Sequence, residues 1–122
     1  MKMFLAAALV AFAAVPALAQ TASVPDWPAC EVRGGDFGPA NASTAQMRLR
    51  RGARCALSER YTGRFTYEVS TPPRNGVLTA SGGDAVYQPN AGFTGADVFV
   101  VRIRQASGGG RTWFTTVNVE VR

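Results

Sequence analysis

The stretch ADVFVVRIRQ (residues 96–105), followed by RTWFTTVNVEV (residues 111–121), decides the fold of this chain. Apolar residues occupy alternate positions in both segments, and this period of two is typical of strands with one face toward a core. The residues expected on that buried face are Phe99, Val101 and Ile103, then Trp113, Thr115, Val117, Val119 and Val121. The glycine-rich residues 107–110 between the segments predict a hairpin.

Shorter segments earlier in the chain also alternate, with turn residues at short intervals and no helical periodicity. They are residues 44–50, 52–57, 65–70, 76–80 and 84–88. The third segment ends at Pro72, which cannot donate to a ladder. About seven short strands without helices predict an all-β, two-sheet antiparallel β-sandwich over residues 44–122.

The first 19 residues have the pattern of a cleaved signal peptide. Lys2 supplies the positive start, residues 4–15 are apolar, and small residues precede a cut before Gln20. Cleavage removes the only lysine and lowers the formal net charge from +5 to +4. We expect a secreted or periplasmic protein, with no transmembrane segment after cleavage because no later stretch is apolar enough.

Residues 20–43 are rich in Pro, Gly, Ala, Ser and Asn, which predicts an extended lead-in rather than a packed element. The chain contains two cysteines, Cys30 and Cys55. An oxidising compartment favours joining such a pair, so we predict a disulfide that fastens the lead-in to the domain.

One motif resembles a known family. The segment beginning at Pro73 fits P-x-x-G-x-[VL] and is followed by Y-x-P-x-x-x-F-x-G-x-D-x-F, a pattern found in the immunoglobulin-like, cadherin-like modules of bacterial secreted and cell-surface proteins. The resemblance implies an immunoglobulin-like sandwich and a binding role. Its motif residues are Gly76, Tyr87, Pro89, Phe93, Gly95, Asp97 and Phe99. We interpret them as fold residues, since Gly95 suits a tight turn and Asp97 can accept backbone hydrogen bonds.

The composition argues against catalysis. Histidine is absent and both cysteines are expected to pair, which removes imidazole bases, Cys-His nucleophiles and the usual zinc ligand sets. The acidic residues are scattered singly, whereas a calcium ion needs six to eight oxygen ligands. We therefore expect no catalytic residues, no metal and no cofactor.

A basic segment, residues 46–55, offers the other candidate site. Its arginines, Arg48, Arg50, Arg51 and Arg54, suit carboxylates or phosphates, or else protect an edge strand from aggregation. The first hypothesis is an exported, non-catalytic module that contacts a protein or an envelope polymer. Alternatives are arginine-mediated binding of an anionic glycan, lipid or nucleic acid, and inhibition of a secreted enzyme by the loop around Gly108. Nucleic acid is not the expected partner.

Overall fold

The computed structural model describes residues 27–36, 41–61, 64–105 and 110–122. The predicted signal peptide, the Gly108 loop tip and two parts of the predicted lead-in, residues 20–26 and 37–40, lie outside these ranges. The described residues form these elements: β1 Cys30–Gly34, β2 Ala42–Leu49, β3 Cys55–Ala56, a 3₁₀ turn Leu57–Glu59, β4 Phe65–Thr71, β5 Gly76–Ser81, β6 Asp84–Pro89, β7 Gly95–Gln105 and β8 Thr112–Val121.

The strands form two sheets, which confirms the all-β, two-sheet prediction. One sheet has the order β1-β2-β8-β7-β4 and the other has the order β3-β6-β5. The sandwich is not purely antiparallel, because β2 runs parallel to β8 from Ala42 opposite Phe114 to Leu49 opposite Val121. The prediction of an all-antiparallel sandwich was therefore wrong for this pair. Alternation of side chains reports which face is buried and carries no information about strand direction.

The predicted lead-in contains a packed strand, which corrects the interpretation of its described part. Strand β1 pairs antiparallel with β2, and Val32 belongs to the hydrophobic core. Strand β2 also begins at Ala42, before the predicted domain start. Composition missed β1 because the strand has one apolar residue in its interior, Val32, and its pairing partner lies beyond residues 37–40.

The segment predicted as a strand over residues 52–57 is mostly a turn. Gly52 has φ +82°, and the Ala53 amide donates to the Arg50 carbonyl at 3.0 Å. Two residues then pair with β6 as β3 before the chain enters the 3₁₀ turn. The described chain accordingly has eight strands rather than about seven.

The core lies between the facing surfaces of the two sheets. Phe99, Val101 and Ile103 are fully buried, and Trp113 with every second residue to Val121 is buried as the alternation predicted. The three-stranded sheet contributes Leu78 and Tyr87 from its inner face. In the described part of the chain, no helix is long and apolar enough to cross a membrane.

The disulfide between Cys30 and Cys55 is present, as predicted. It joins β1 of the five-stranded sheet to β3 of the three-stranded sheet, with the two Cα atoms 5.1 Å apart. Closing this loop stabilises the fold by about 3 kcal/mol in the chain-entropy picture. The bond therefore fixes an edge strand that has little apolar surface of its own.

Candidate interaction face

Asp97 is the centre of a hydrogen-bonded corner at one end of the sandwich. Its carboxylate accepts the backbone amides of Arg74 and Asn75, each at 3.0 Å, and the Tyr87 hydroxyl at 2.8 Å. The Val98 amide donates to the same carboxylate at 2.9 Å. Asp97 is only 8% exposed, so these four donors replace its water. We call Asp97, Tyr87, Arg74 and Asn75 the Asp97 corner.

The other motif residues pack around this corner. Tyr87 is fully buried and stacks on Phe99 with ring centroids 5.8 Å apart. A Cβ on Gly76 would lie 2.6 Å from the Gln88 carbonyl oxygen, so no side chain fits there. Gly95 has φ +130°, a conformation that side chains rarely adopt. Pro89 is buried and Phe93 packs partly buried against the core.

The corner also changes the acidity of its tyrosine. Burial raises the pKa of Tyr87 well above its usual range, and the hydrogen bond to the Asp97 carboxylate and its charge raise the pKa further. The neutral phenol is therefore the stable form, and its proton points to Asp97. This chemistry holds the two sheets together and does not produce a reactive group.

The predicted basic patch is partly occupied by contacts within the chain. Arg48 donates its Nε to Glu31 at 2.9 Å, and its guanidinium lies 4.9 Å from the ring centre of Trp27. Hydrogen bonding to Arg48 holds the pKa of Glu31 below its usual value. Arg50 donates to the Trp27 carbonyl at 2.8 Å.

Trp27 is held from a second side by the end of the chain. The Arg122 guanidinium lies 4.0 Å from the centre of the indole ring, and the indole nitrogen donates to the Leu49 carbonyl at 2.9 Å. Trp27 is 7% exposed as a result. We call Trp27, Arg48 and Arg122 the Trp27 clamp. Sequence reasoning missed it, since its members are far apart along the chain.

Arg51 and Arg54 are exposed on the turn between β2 and β3, and neither has an acidic partner among the described residues. Of the four predicted arginines, Arg48 and Arg50 therefore contact Glu31 or Trp27, whereas Arg51 and Arg54 make no such contact. Strand β2 lies between β1 and β8, so Arg48 does not lie on an edge strand, whereas Arg54 directly precedes the edge strand β3.

The outer face of the five-stranded sheet has no layer over it in the described structure. On its two central strands Phe114 is 46% exposed and Val98 is 44% exposed. Between them lie Val100 and Thr116, which are register partners across β7 and β8. We call Val98, Val100, Thr116 and Phe114 the central strip. A large aromatic on the polar face of β8 was the signal in the sequence for this surface.

Ion pairs lie on both sides of the central strip. Arg102 pairs with Glu68 at 2.8 Å beside Phe114, and Arg122 pairs with Glu120 at 3.1 Å toward the Trp27 clamp. The face therefore has an apolar middle and a charged rim. Each rim pair is exposed and contributes little to stability by itself.

The described residues contain no group of three or more potential metal ligands. Comparison with models of protein families gives no match to this chain, and comparison with curated proteins gives none.

Proposed function

We propose that this chain is an exported, non-catalytic, immunoglobulin-like binding module that contacts a protein partner through the central strip. The observation that carries the proposal is the exposure of Phe114 and Val98 on adjacent central strands of an uncovered sheet. An apolar centre with a polar rim is the usual anatomy of a protein interface. Exposed aromatic side chains are frequent anchors in such surfaces.

The sheet order supports the immunoglobulin-like part of the proposal. The strands β3-β6-β5 correspond to the B-E-D sheet of that fold, and β8-β7-β4 correspond to its G-F-C sheet. The additional strands β1 and β2 extend the second sheet beyond β8. The Asp97 corner lies at the start of β7, next to the connection from β6, where this fold often carries a hydrogen-bonded corner.

The export part of the proposal is supported by two independent features. Residues 1–19 have the charge, the apolar run and the small residues of a signal peptide. The Cys30–Cys55 bond fits an oxidising compartment. N-terminal sequencing of the exported chain should find Gln20 first, and a chain that retains Met1 in the cytoplasm would contradict export.

The test compares two exposed apolar residues on opposite faces. Phe114→Ser should abolish capture of the partner from the exported fraction, because it removes the aromatic anchor. Val77→Ser is the matched control, since Val77 is 59% exposed on the three-stranded sheet. Equal retention of the same partner by both variants would refute the central strip as the contact.

A second candidate function is binding of an anionic surface through the turn between β2 and β3. Exposed Arg51 and Arg54 favour it, because they have no acidic partner in the described structure. Binding to anionic vesicles should then fall with added salt and after Arg51→Ser/Arg54→Ser. Unchanged binding in both cases would exclude this function.

A further inference from the structure

A shallow groove crosses the outer face between the central strip and the Trp27 clamp. Two adjacent hollows share Ala96 and Asn118, and together they reach from β1 to the loop between β4 and β5. Ala96 leaves a depression in the surface because its side chain is small, whereas its register partner on β8 is the longer Glu120. We call this the amide groove. Its polar lining includes Arg33, Gln46, Asn118 and Arg74, together with the carboxylates of Glu120 and Asp97.

Three of these side chains form one row across neighbouring strands. Arg33 is the register partner of Gln46 on β2, and Gln46 is the register partner of Asn118 on β8. Neighbouring strands place such side chains about 4.8 Å apart. Gln46 and Asn118 are exposed, and their amides have no hydrogen-bond partner within the described residues. Each amide therefore presents both donors and an acceptor to a ligand.

The opposite wall is a loop whose backbone is fixed. The amides of Arg74 and Asn75 are held by the Asp97 carboxylate, and the Asn75 carbonyl accepts the Asn90 amide at 2.8 Å. The Arg74 side chain is exposed and has no acidic partner in the described part of the chain. The backbone that carries the Arg74 guanidinium is therefore rigid, which lowers the conformational entropy that the loop loses when a ligand binds.

The groove carries an excess of positive charge. Arg33 and Arg48 share the carboxylate of Glu31, with Arg33 at 2.8 Å, so one guanidinium charge is left over. Arg74 adds another, the Asp97 carboxylate beside it offsets one, and Glu120 is paired with Arg122, so one positive charge remains in excess. Arginine at both ends with neutral amides between them would favour a ligand with spaced carboxylates and many hydroxyls.

We propose that the amide groove binds a carboxylate-bearing glycan, such as a hexuronic-acid chain, lying across β1, β2, β8 and β7. Arg33 and Arg74 pair with carboxylates, while Gln46 and Asn118 exchange hydrogen bonds with ring hydroxyls. The strand spacing is close to the length of one sugar residue, so successive side chains in the row meet successive sugars. An acidic peptide is less suited, because it lacks the ring hydroxyls that the amides of Gln46 and Asn118 would meet.

This inference goes beyond the protein contact proposed above, and the groove adjoins the central strip and shares Val98 with it. The experiment titrates the purified chain with a hexuronic-acid hexasaccharide by calorimetry at low salt. A neutral hexasaccharide and a polyglutamate peptide of equal charge are the comparison ligands. We expect binding of the hexuronic-acid chain alone. Absence of that binding, or equal binding of either comparison ligand, would overturn the proposal.

Variants then locate the site. Arg33→Ser/Arg74→Ser should weaken binding at least tenfold, and Gln46→Ala/Asn118→Ala should weaken it about fivefold without any change in net charge. The matched charge controls are Arg51→Ser/Arg54→Ser on the turn and Arg64→Ser/Arg104→Ser at the other end of the sandwich. If either control weakens binding as much as Arg33→Ser/Arg74→Ser, the attraction is non-specific and the groove is not the site.

The same titration separates this proposal from the protein contact. Phe114→Ser should leave the affinity for the hexuronic-acid chain within twofold, since Phe114 lies four residues along β8 from Asn118. Loss of glycan binding in Phe114→Ser would contradict the position assigned to the groove. Retained glycan binding with lost partner capture would support both assignments.

Discussion

The Asp97 corner and the Trp27 clamp lie at the same end of the sandwich and join charged and aromatic groups in different ways. In the corner, one buried carboxylate accepts four donors over 2.8 to 3.0 Å. In the clamp, two partly exposed guanidiniums cover a buried indole, each with a carboxylate beside it. Burial makes every lost partner costly, whereas solvent screens the surface contacts. Similar charged and aromatic groups therefore stabilise this fold unequally.

The largest effect should come from Asp97→Ala. It leaves the amides of Arg74 and Asn75 and the Tyr87 hydroxyl without a partner in a buried place, so we expect a loss of about 4 kcal/mol in the free energy of unfolding. Urea denaturation of the oxidised protein measures this loss. Asp97→Asn is the control that keeps one acceptor oxygen and should lose less. A loss below about 1 kcal/mol for Asp97→Ala would remove the distinction between corner and clamp.

Trp27→Ala should have the next largest effect. The indole is 7% exposed, and removing it uncovers apolar surface and deletes the hydrogen bond to the Leu49 carbonyl. We expect a loss of about 3 kcal/mol, because the indole is buried beneath two guanidiniums whose flexible side chains can fill part of the space that it leaves. Hydrogen exchange should show faster opening of β1 with the core protected. Unchanged exchange of the β1 amides would contradict the clamp as an anchor.

Tyr87→Phe tests a single hydrogen bond of the Asp97 corner. Losing the hydroxyl that donates to Asp97 should lower stability at neutral pH by about 1 kcal/mol. The pKa of Tyr87 is raised in the folded state, so its contribution is present in full below pH 10 and decreases as pH rises above that value. The stability difference between the wild type and Tyr87→Phe should therefore shrink in alkaline solution. A difference that grows with pH would contradict the assigned hydrogen bond.

Arg122→Gln should have the smallest effect. It removes a cation over Trp27 and the exposed pair with Glu120, and we expect a loss of about 0.5 to 1 kcal/mol. Tryptophan fluorescence should report a more solvated indole. Arg104→Gln, an exposed arginine outside the clamp, is the matched control and should change neither signal. A loss as large as that of Asp97→Ala would show that the clamp is equivalent to the corner.

The same comparison explains which parts of the structure could be predicted from the sequence. The corner could be predicted, because Tyr87, Asp97 and Phe99 follow one another within a motif of fixed spacing. The faces of β7 and β8 could also be predicted, since alternation along a strand is a local property. The hydrogen bond that the Val98 amide donates to Asp97 is local in this sense, whereas the amides of Arg74 and Asn75 lie 23 and 22 residues earlier in the chain.

Contacts between distant segments could not be predicted in this way. The clamp joins residues 27, 48 and 122, and no spacing rule connects them. The pairing of β1 with β2 and the parallel pairing of β2 with β8 also join segments that no spacing rule connects. The amide groove is likewise assembled from β1, β2, β8 and a distant loop. The Arg48 side chain lies on the outer face of β2, and its partner Glu31 lies in the segment that was predicted as a lead-in.

The central claim is that the outer face of the five-stranded sheet is where this protein meets its partner. Site-specific photocrosslinking in cells that export the chain tests it most directly, with the crosslinking residue placed at Phe114 in one variant and at Val77 in another. The account predicts a crosslinked partner protein from position 114 and none from position 77. Crosslinks from position 77 alone would contradict it.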